Sequence, residues 1–442
     1  MRLIPYRINA SSISTWKAHA ARSGFLRDVR FLASGVAIAQ IALLACSPIL
    51  TRLFTPEAFG AFSLVMAVAG MISVFATLRL ETILPVVKNT RSALHLLQLL
   101  LTVAAAAAAV ALAAVIAFRD EISATISMPT GGSTSLYVLP VLILTFAVSS
   151  GVRSWLIRQG RFKPIGQAQV GRVVVNLVVS IGFGVADAFA KAPGLALAVG
   201  QGAGDFFFGL ALLRHITRRE LRVLATPRLP RIRMALADNS GMVRTLISSQ
   251  VLAAIYGRLP IIAIAAAFGP AAAGWFAFAE QVVGAPATLI ASSIGEVYRQ
   301  RAAAAYRAGR TFDNIMRRVL AMTLALSVVP FGVAIVLTPQ YLGLVFGKEW
   351  QAASFTVVVL LAGALFSFNS TPVDKAAIIV GASRYILIWH TVRFVIEVTA
   401  ALAAIMGWLG YEAYLIAIVA GRSALYVWDL SVEHTLARGG RV

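Results

Sequence analysis

The sequence predicts an all-helical protein that crosses a membrane about twelve times, and three observations support this prediction. Apolar residues make up 59% of the 442 residues and charged residues 13%, whereas a soluble domain has about 45–50% and about 25%. The apolar residues form runs that reach the roughly 20 residues needed to span hydrocarbon as a helix. These runs are continuous, whereas the strands of a membrane barrel alternate in polarity. The predicted fold class is therefore a polytopic bundle of α-helices.

The apolar runs fall into two sets of six. The first set covers residues 31–50, 58–78, 93–117, 136–156, 173–190 and 194–213. The second set covers residues 245–267, 271–294, 319–338, 353–373, 385–407 and 411–430. The Arg-rich segment between them contains Pro227 and Pro230, and this composition indicates a connection that is hard to bury. The predicted organisation is a basic N-terminal tail (1–30), a first six-helix bundle (31–213), a basic linker (214–244), a second six-helix bundle (245–430) and a C-terminal tail (431–442).

Lysine and arginine are distributed unevenly between the two sides of this predicted bundle. With the amino terminus placed in the cytoplasm, the cytoplasmic segments hold 32 of the 39 Lys and Arg residues and the opposite loops hold 4. Membrane proteins carry such an excess in their cytoplasmic loops, so both termini are predicted to be cytoplasmic. The basic clusters are suited to anionic membrane lipids. They do not form the single basic stripe that indicates a nucleic-acid partner.

The sequence contains no recognisable catalytic or metal site. Cys46 is the single cysteine, and the five histidines form no group with metal-ligand spacing. No nucleotide-binding Gly-rich loop is present. We therefore expect no cofactor and no enzymatic activity, and we expect a transporter. Five tryptophans lie near predicted span ends, where this residue anchors helices at the interface: Trp155, Trp350, Trp389, Trp408 and Trp428.

A short motif occurs once in each half of the chain. Residues 54–62 read Phe-x-Pro-x-x-x-Gly-x-Phe, and residues 268–276 repeat this pattern 214 positions later. Each copy lies at the turn between the first and second span of its half, where proline can open a helix and glycine allows close helix packing. Six spans per half make both halves enter the membrane in the same direction. We therefore predict a pseudo-twofold axis along the membrane normal, with a chance match of four residues as the alternative.

Ionisable residues inside the predicted spans are the first candidates for a functional site, because they are costly in hydrocarbon. His390, Arg393 and Glu397 follow one another at spacings of three and four residues, which places them on one helix face. These side chains could face a cavity. Alternatively, Arg393 and Glu397 could form a neutral pair that, together with Arg422, joins one helix to another. Arg258 has no acidic residue at helical spacing and is predicted to face a cavity.

Three further arginines lie at predicted span ends. Arg79 and Arg153 end the second and fourth spans on the cytoplasmic side, where they could form a gate or a first contact with substrate. Arg52 lies at the outer turn. A surface ion pair with Glu81 is the alternative for Arg79, and a pair with Glu57 is the alternative for Arg52.

Acidic residues inside the spans are candidates for coupling transport to an ion. Asp205 lies in the sixth span and Glu280 in the eighth, and Glu397 is a third candidate. A proton or a sodium ion would suit such a carboxylate, and the sequence leaves open which ion is used, and whether one is used at all.

Several stretches resemble one known family in the order in which that family carries them. They are FLASGVAIAQIALLACSPILTRLFTPEAFGAFSLV, LRLETILPV, GRLPIIAIAAAFGPAAAGWFAFAEQVVGAPATLIASSIGEVYRQRAA and LTPQYLGLVFGKEWQAAS. Together they resemble the bacterial polysaccharide flippases of the O-antigen or capsule type. These flippases belong to the multidrug, oligosaccharidyl-lipid and polysaccharide exporter superfamily. Arg52 matches the motif of this family.

The resemblance implies two six-helix bundles around a central cavity that opens alternately to each side. It implies a flippase that moves undecaprenyl-pyrophosphate-linked oligosaccharide to the outer leaflet of the bacterial cytoplasmic membrane. Surface polysaccharide would then be assembled there, with a polymerase and glycosyltransferases as possible partners. The alternative within the superfamily is a multidrug–cation antiporter.

The chemistry of such a substrate fits the intramembrane arginines. A diphosphate and sugars cannot cross about 30 Å of hydrocarbon unaided, whereas a polyprenyl tail is soluble there. Arginine binds phosphate oxygens in pairs and keeps its charge. We therefore expect a wet, cationic cavity for the headgroup and a slit for the tail.

Overall fold

The computed structural model describes residues 24–85, 87, 89–125, 132–187, 189, 191–192, 194–226, 229–238, 240–374 and 376–440. Most of the predicted N-terminal tail, Pro227 of the linker and the last two residues lie outside this part of the chain. The described residues form helices joined by turns, without a strand among them. Twelve of the helical segments are long and apolar enough to cross a membrane, which confirms the predicted fold class.

The first half contains seven α-helices, and a 3-10 helix at Gly132–Val138 precedes the fifth. Their bounds are α1 Gly24–Leu53, α2 Pro56–Thr77, α3 Leu80–Ile83, α4 Thr90–Thr125, α5 Leu139–Arg158, α6 Phe162–Val185 and α7 Leu195–Leu213. Each predicted span overlaps one of these helices, but the bounds differ. Helix α6, which forms the fifth span, begins eleven residues before the predicted span 173–190 and ends five residues before its end. Its first turns are too polar to be recognised as membrane-spanning.

The linker carries two short helices, α8 Arg218–Ala225 and α9 Leu229–Asp238. The side chain of Thr217 caps α8, and the Glu220 side chain accepts a hydrogen bond from the backbone N–H of Thr217, which completes a capping box. The Oε1 atom of Glu220 also accepts hydrogen bonds from the Trp155 indole at 3.1 Å and from Gln159 at 2.8 Å. These contacts attach α8 to the end of α5, although α8 itself has no buried residue.

The second half repeats the arrangement with one irregularity in its second span. Its helices are α10 Ser240–Phe268, α11 Pro270–Ala279, α12 Ala285–Arg307, α13 Asp313–Phe346, α14 Ser354–Ser370, α15 Ala376–Val380, α16 Ser383–Ile405 and α17 Tyr411–Ala437. A π-helical turn, Glu280–Gly284, joins α11 to α12. A 3-10 helix, Lys348–Ala353, precedes α14. The last helix continues seven residues beyond the predicted span, so most of the segment predicted as a C-terminal tail is helical.

The two copies of the repeated motif pack directly against each other. A Cβ atom added to Gly60 in α2 would lie 1.8 Å from the carbonyl oxygen of Pro270, and one added to Gly274 in α11 would lie 1.8 Å from that of Pro56. Each glycine thus makes room for the backbone of the other copy. This reciprocity is what a twofold axis between the halves requires, and it confirms the predicted relation. We call this end of the molecule the turn end and the opposite end, where α8 lies, the linker end.

Two tryptophans have a structural role that the sequence did not indicate. Trp155 and Trp350 are buried, so their prediction as interfacial anchors is wrong. Trp350 packs against Phe59 and Phe278 with ring centroids 4.9 and 4.7 Å away, and its indole donates a hydrogen bond to the Thr51 carbonyl at 2.8 Å. Trp350 therefore joins the two halves at the turn end.

Candidate functional site

A polar cavity of about 600 Å³ lies between α1 of the first half and five elements of the second half. The π-helical turn with α12 forms one wall, and α14, α16 and α17 form the others. Its ionisable and amide side chains come from both halves: Gln40, Glu280, Arg393, Arg422 and Tyr426. We refer to it as the polar cavity.

Glu397 is the buried centre of the charges behind this cavity. Its Oε1 atom accepts a hydrogen bond from the Nε atom of Arg422 at 2.5 Å, and the Nε atom of Arg393 lies 3.9 Å from the same oxygen. The Glu397 side chain is fully buried, whereas both arginine side chains are slightly exposed. The structure therefore contains the ion-paired arrangement of Arg393, Glu397 and Arg422 that the sequence analysis gave as the alternative. It joins α16 to α17 and leaves the two guanidinium groups at the cavity wall.

Arg393 is also held by aromatic rings from two helices. Its guanidinium carbon lies 4.7 Å from the ring centroid of Tyr256 in α10 and 5.5 Å from that of Trp389. His390 is hydrogen-bonded through Nδ1 to the Tyr256 hydroxyl at 2.9 Å. His390 lines a neighbouring cavity of about 330 Å³, which Arg393 also lines. Arg393 therefore lines both cavities and His390 lines one of them, whereas Glu397 is buried behind them.

Glu280 presents a carboxylate to the polar cavity. It is exposed there, and no described residue forms a hydrogen bond or ion pair with it. Arg422, Arg258 and Arg393 lie close enough to interact with it electrostatically. Glu280 begins the π-helical turn, a distortion that is frequent at functional sites.

Arg258 and Arg79 line a third cavity, of about 300 Å³, between α2, α5 and α10. Arg258 is exposed, and no described acceptor lies within hydrogen-bonding distance of it. Its Nε atom would be 3.1 Å from a Cβ atom on Gly70. The guanidinium group of Arg258, which belongs to the second half, therefore lies against the backbone of α2 in the first half. We call this space the inter-half pocket.

Arg79 occupies a strained position at the break between α2 and α3. Leu78 and Arg79 both have left-handed backbone conformations, with φ values of 48° and 53°, which side-chain-bearing residues rarely adopt. Arg79 pairs with Glu81 at 3.4 Å while it also lines the inter-half pocket. Burial raises the pKa of Glu81, and hydrogen bonds from the backbone and Thr77, with the charge of Arg79, offset part of that rise. The ion pair is thus half-buried and adjoins a cavity.

The remaining candidates lie elsewhere in the first half. Asp205 in α7 is buried and paired with Arg172 in α6 at 2.5 Å, and Gln201 donates to its other oxygen at 3.1 Å. Sequence reasoning overlooked Arg172 because it was counted with the cytoplasmic loop, whereas it lies ten residues inside α6. Arg153 is exposed on α5 and has no described partner. Neither Asp205 nor Arg153 lines any of the three cavities described above.

Arg52 does not pair with Glu57, so that alternative is wrong. Its Nη2 atom donates to the carbonyl oxygens of Leu344 and Val345, each at 3.4 Å. These carbonyls belong to the last turn of α13, where a helix leaves its acceptors without intrahelical partners. Arg52 therefore links the halves at the turn end, as Trp350 does.

Twelve spans in two related halves, with ionisable cavities at their interface, define a membrane transporter. The chain belongs to the family described as polysaccharide biosynthesis protein, whose profile matches residues 49–355. Curated proteins provide no significant match.

Solved transporter structures share the fold. The lipid II flippase MurJ in an inward closed conformation has a TM-score of 0.62 and 12% identity, over 90% of this chain and 86% of that chain. An inward-facing multidrug resistance MATE transporter of the MOP superfamily has a TM-score of 0.54 and 14% identity, over 92% and 94%. A Vibrio cholerae MATE transporter has a TM-score of 0.55 and 15% identity, over 93% and 95%. At such identities the likeness concerns the fold.

Proposed function

We propose that this protein is a flippase for undecaprenyl-pyrophosphate-linked oligosaccharide. It moves this substrate by alternating access from the inner to the outer leaflet of the bacterial cytoplasmic membrane, with both termini in the cytoplasm. The product serves the assembly of O-antigen, capsule or exopolysaccharide. Glycosyltransferases that build the oligosaccharide and a polymerase that consumes it are the partners this role requires.

The observation that carries the proposal is the excess of guanidinium groups at the interface of the halves. Four arginines line the two cavities there: Arg79, Arg258, Arg393 and Arg422. Three carboxylates accompany them, and Arg258 keeps no described partner of its own. A free guanidinium at membrane depth is costly unless an anion or water satisfies it. A diphosphate supplies the paired oxygens that arginine binds best.

The multidrug–cation antiporter remains the second candidate, and Glu280 is the observation that favours it. An exposed carboxylate in the polar cavity could bind an organic cation, and transporters with this fold include MATE proteins. The surrounding arginines oppose such binding by like-charge repulsion. For the flippase we assign Glu280 as the candidate for coupling to a proton or sodium gradient, ahead of Asp205 and Glu397, which are already paired.

A reconstituted assay tests the proposal. Purified protein in vesicles is supplied with a lipid-linked oligosaccharide, and flipping is measured as the substrate that becomes accessible to an impermeant enzyme. We expect the wild type to flip it. We expect Arg258→Ala to reduce the flipping rate by about tenfold or more, because hydrogen bonds to a charged group contribute about 1.5–3 kcal/mol. Arg258→Lys should retain part of the wild-type flipping rate.

The matched control is Arg222→Ala, which removes an exposed arginine of α8 that lines neither cavity and should leave the rate unchanged. If the wild type moves aromatic cations and not the lipid-linked oligosaccharide, the antiporter is the correct function. If Arg258→Ala flips as fast as the wild type, the inter-half pocket does not bind the headgroup.

A further inference from the structure

An apolar groove of about 540 Å³ runs along the outside of the second half. Its walls are the π-helical turn with α12, the side of α13 and one face of α14. Ile290, Leu326 and Leu337 line it and remain 46%, 49% and 43% exposed, so the groove opens laterally toward the surrounding membrane. We call it the apolar groove.

Apart from the half-exposed Tyr341, the polar side chains that line this groove are Ser327 and Thr338, and both offer little to a polar ligand. The Ser327 hydroxyl donates to the Leu324 carbonyl at 3.4 Å and accepts from Asn369 at 3.0 Å. The Thr338 hydroxyl donates to the carbonyl of Ala334 at 2.7 Å. Because these hydroxyls are satisfied within the protein, the wall is suited to a hydrocarbon chain.

The groove exists because α13 packs mainly against α14 and meets α12 over only a shorter stretch. Two interior prolines, Pro330 and Pro339, interrupt the hydrogen-bond ladder of α13. On the facing wall, the π-helical turn and Pro286 disturb the start of α12. Irregular backbone on both walls thus keeps these helices from closing on each other.

The groove is as long as the hydrocarbon layer is thick. Its lining along α13 extends from Leu326 to Phe346, which is about 30 Å at 1.5 Å per residue. The hydrocarbon core of a bilayer is also about 30 Å thick. An acyl chain of a phospholipid reaches only through its own leaflet, whereas an undecaprenyl chain is long enough to follow the groove through both.

The apolar groove adjoins the polar cavity. Val283 of the π-helical turn lines both spaces. Helix α14 turns Leu361 and Phe368 toward the groove, and Gly363 and Ser367 toward the cavity. An amphiphile with its charged head among the arginines could therefore place its tail in the groove by passing beside Val283.

We propose that the apolar groove binds the polyprenyl tail of the lipid-linked substrate while the headgroup occupies the arginine-lined cavities. This inference rests on the proposed flippase function. It assigns the two parts of one substrate to adjoining sites of opposite polarity. The tail stays covered by α12, α13 and α14 while the head crosses, so tail and head need not separate during transport.

Ala334 and Val336 on α13 provide a matched pair of variants. Ala334 lines the groove, whereas Val336 is 65% exposed and does not line it. Ala334→Phe places a ring inside the groove, and Val336→Phe places the same ring on the membrane-facing side. Both changes add bulk to one helix, so a difference between them reports on the groove and not on the folding of α13.

The test uses the full chain in nanodiscs with an undecaprenyl diphosphate that carries a diazirine in its tail. We expect photo-cross-links at groove residues such as Ile290 and Leu337, and we expect excess unlabelled undecaprenyl diphosphate to compete with them. Ala334→Phe should reduce these cross-links about tenfold or more, which corresponds to about 1.4 kcal/mol of lost tail contact. Val336→Phe should leave them unchanged.

Two outcomes would overturn the inference. Cross-links that lie outside the groove, or that phosphatidylglycerol displaces as well as undecaprenyl diphosphate does, would mean that ordinary lipid fills it.

The flipping assay on the same proteins separates this failure from failure of the proposed function. If Ala334→Phe flips as fast as the wild type, the groove is not the tail path although the flippase function stands. If the wild type does not flip, the function itself is wrong.

Discussion

Glu397 is the residue on which the charge arrangement behind the polar cavity depends. It is fully buried and is hydrogen-bonded to Arg422 at 2.5 Å. Removal of one partner from a buried ion pair leaves an uncompensated charge and costs about 3–5 kcal/mol. We therefore expect Arg422→Gln to lower the thermal stability of the purified protein strongly. The double variant Arg422→Gln with Glu397→Gln should recover part of it, because the buried carboxylate charge is removed while Arg393 loses its partner at 3.9 Å.

Thermal unfolding followed by intrinsic fluorescence measures both effects. Arg393→Gln is the comparison, because Arg393 lies 3.9 Å from the same carboxylate and is also held by two aromatic rings. It should destabilise the protein less than Arg422→Gln does. If Arg422→Gln and the double variant are equally stable, the Glu397 charge does not need Arg422 for its stabilisation.

At the residue scale, the sequence predicts which side chains are unusual but not all of their partners. Arg393 and Glu397 could be placed on one face because helical spacing is a local property. The link from Arg393 to Tyr256 and the pair of Asp205 with Arg172 depend on how separate helices pack. The location of the ionisable groups inside spans could be inferred from hydropathy, whereas their burial and their pairing depend on tertiary structure.

At the scale of elements, the close crossing of α2 and α11 joins the two halves at the turn end. Gly60 and Gly274 each leave room for a proline carbonyl of the other helix. We expect Gly60→Ala to force α2 and α11 apart at this end, because the added Cβ atom would lie 1.8 Å from the Pro270 oxygen. Spin labels at positions 57 and 271, in a Cys46→Ser background, should report a distance several ångströms longer than in the parent protein.

Gly182→Ala is the control for this prediction. Gly182 lies inside α6, and a Cβ atom there would have nothing within 4 Å. The same chemical change should leave the distance between the labels as it is. An unchanged distance in Gly60→Ala would show that the two helices do not need this contact to remain together.

The elements differ in how far sequence could predict them. The motif at residues 54–62 and 268–276 was visible as a repeat, and its proline and glycine indicated a helix start and a close approach. The π-helical turn at Glu280–Gly284 was not foreseen, because its composition does not differ from that of an ordinary helix. The apolar groove also lay beyond the sequence, since it depends on a gap between α12 and α13.

At the scale of the whole molecule, hydropathy was sufficient for the number of spans, because each must cross the same thickness of hydrocarbon. The relation between the halves followed from the repeat and from the even number of spans. Neither the repeat nor the number of spans indicated how the cavities are divided between the halves. The polar cavity lies mainly in the second half, with α1 as its wall from the first, so the site is less symmetric than the fold.

The orientation of the molecule is the last prediction, and it rests on the predicted cytoplasmic segments, which hold 32 of the 39 Lys and Arg residues. Cysteines that replace Lys348 at the turn end and Arg222 in α8 test it in the Cys46→Ser background. Both positions are exposed. In intact spheroplasts, an impermeant maleimide should label position 348 and should reach position 222 only after permeabilisation. We expect the positive charge to keep the linker end in the cytoplasm. Labelling with the reverse pattern would invert the direction of transport proposed above.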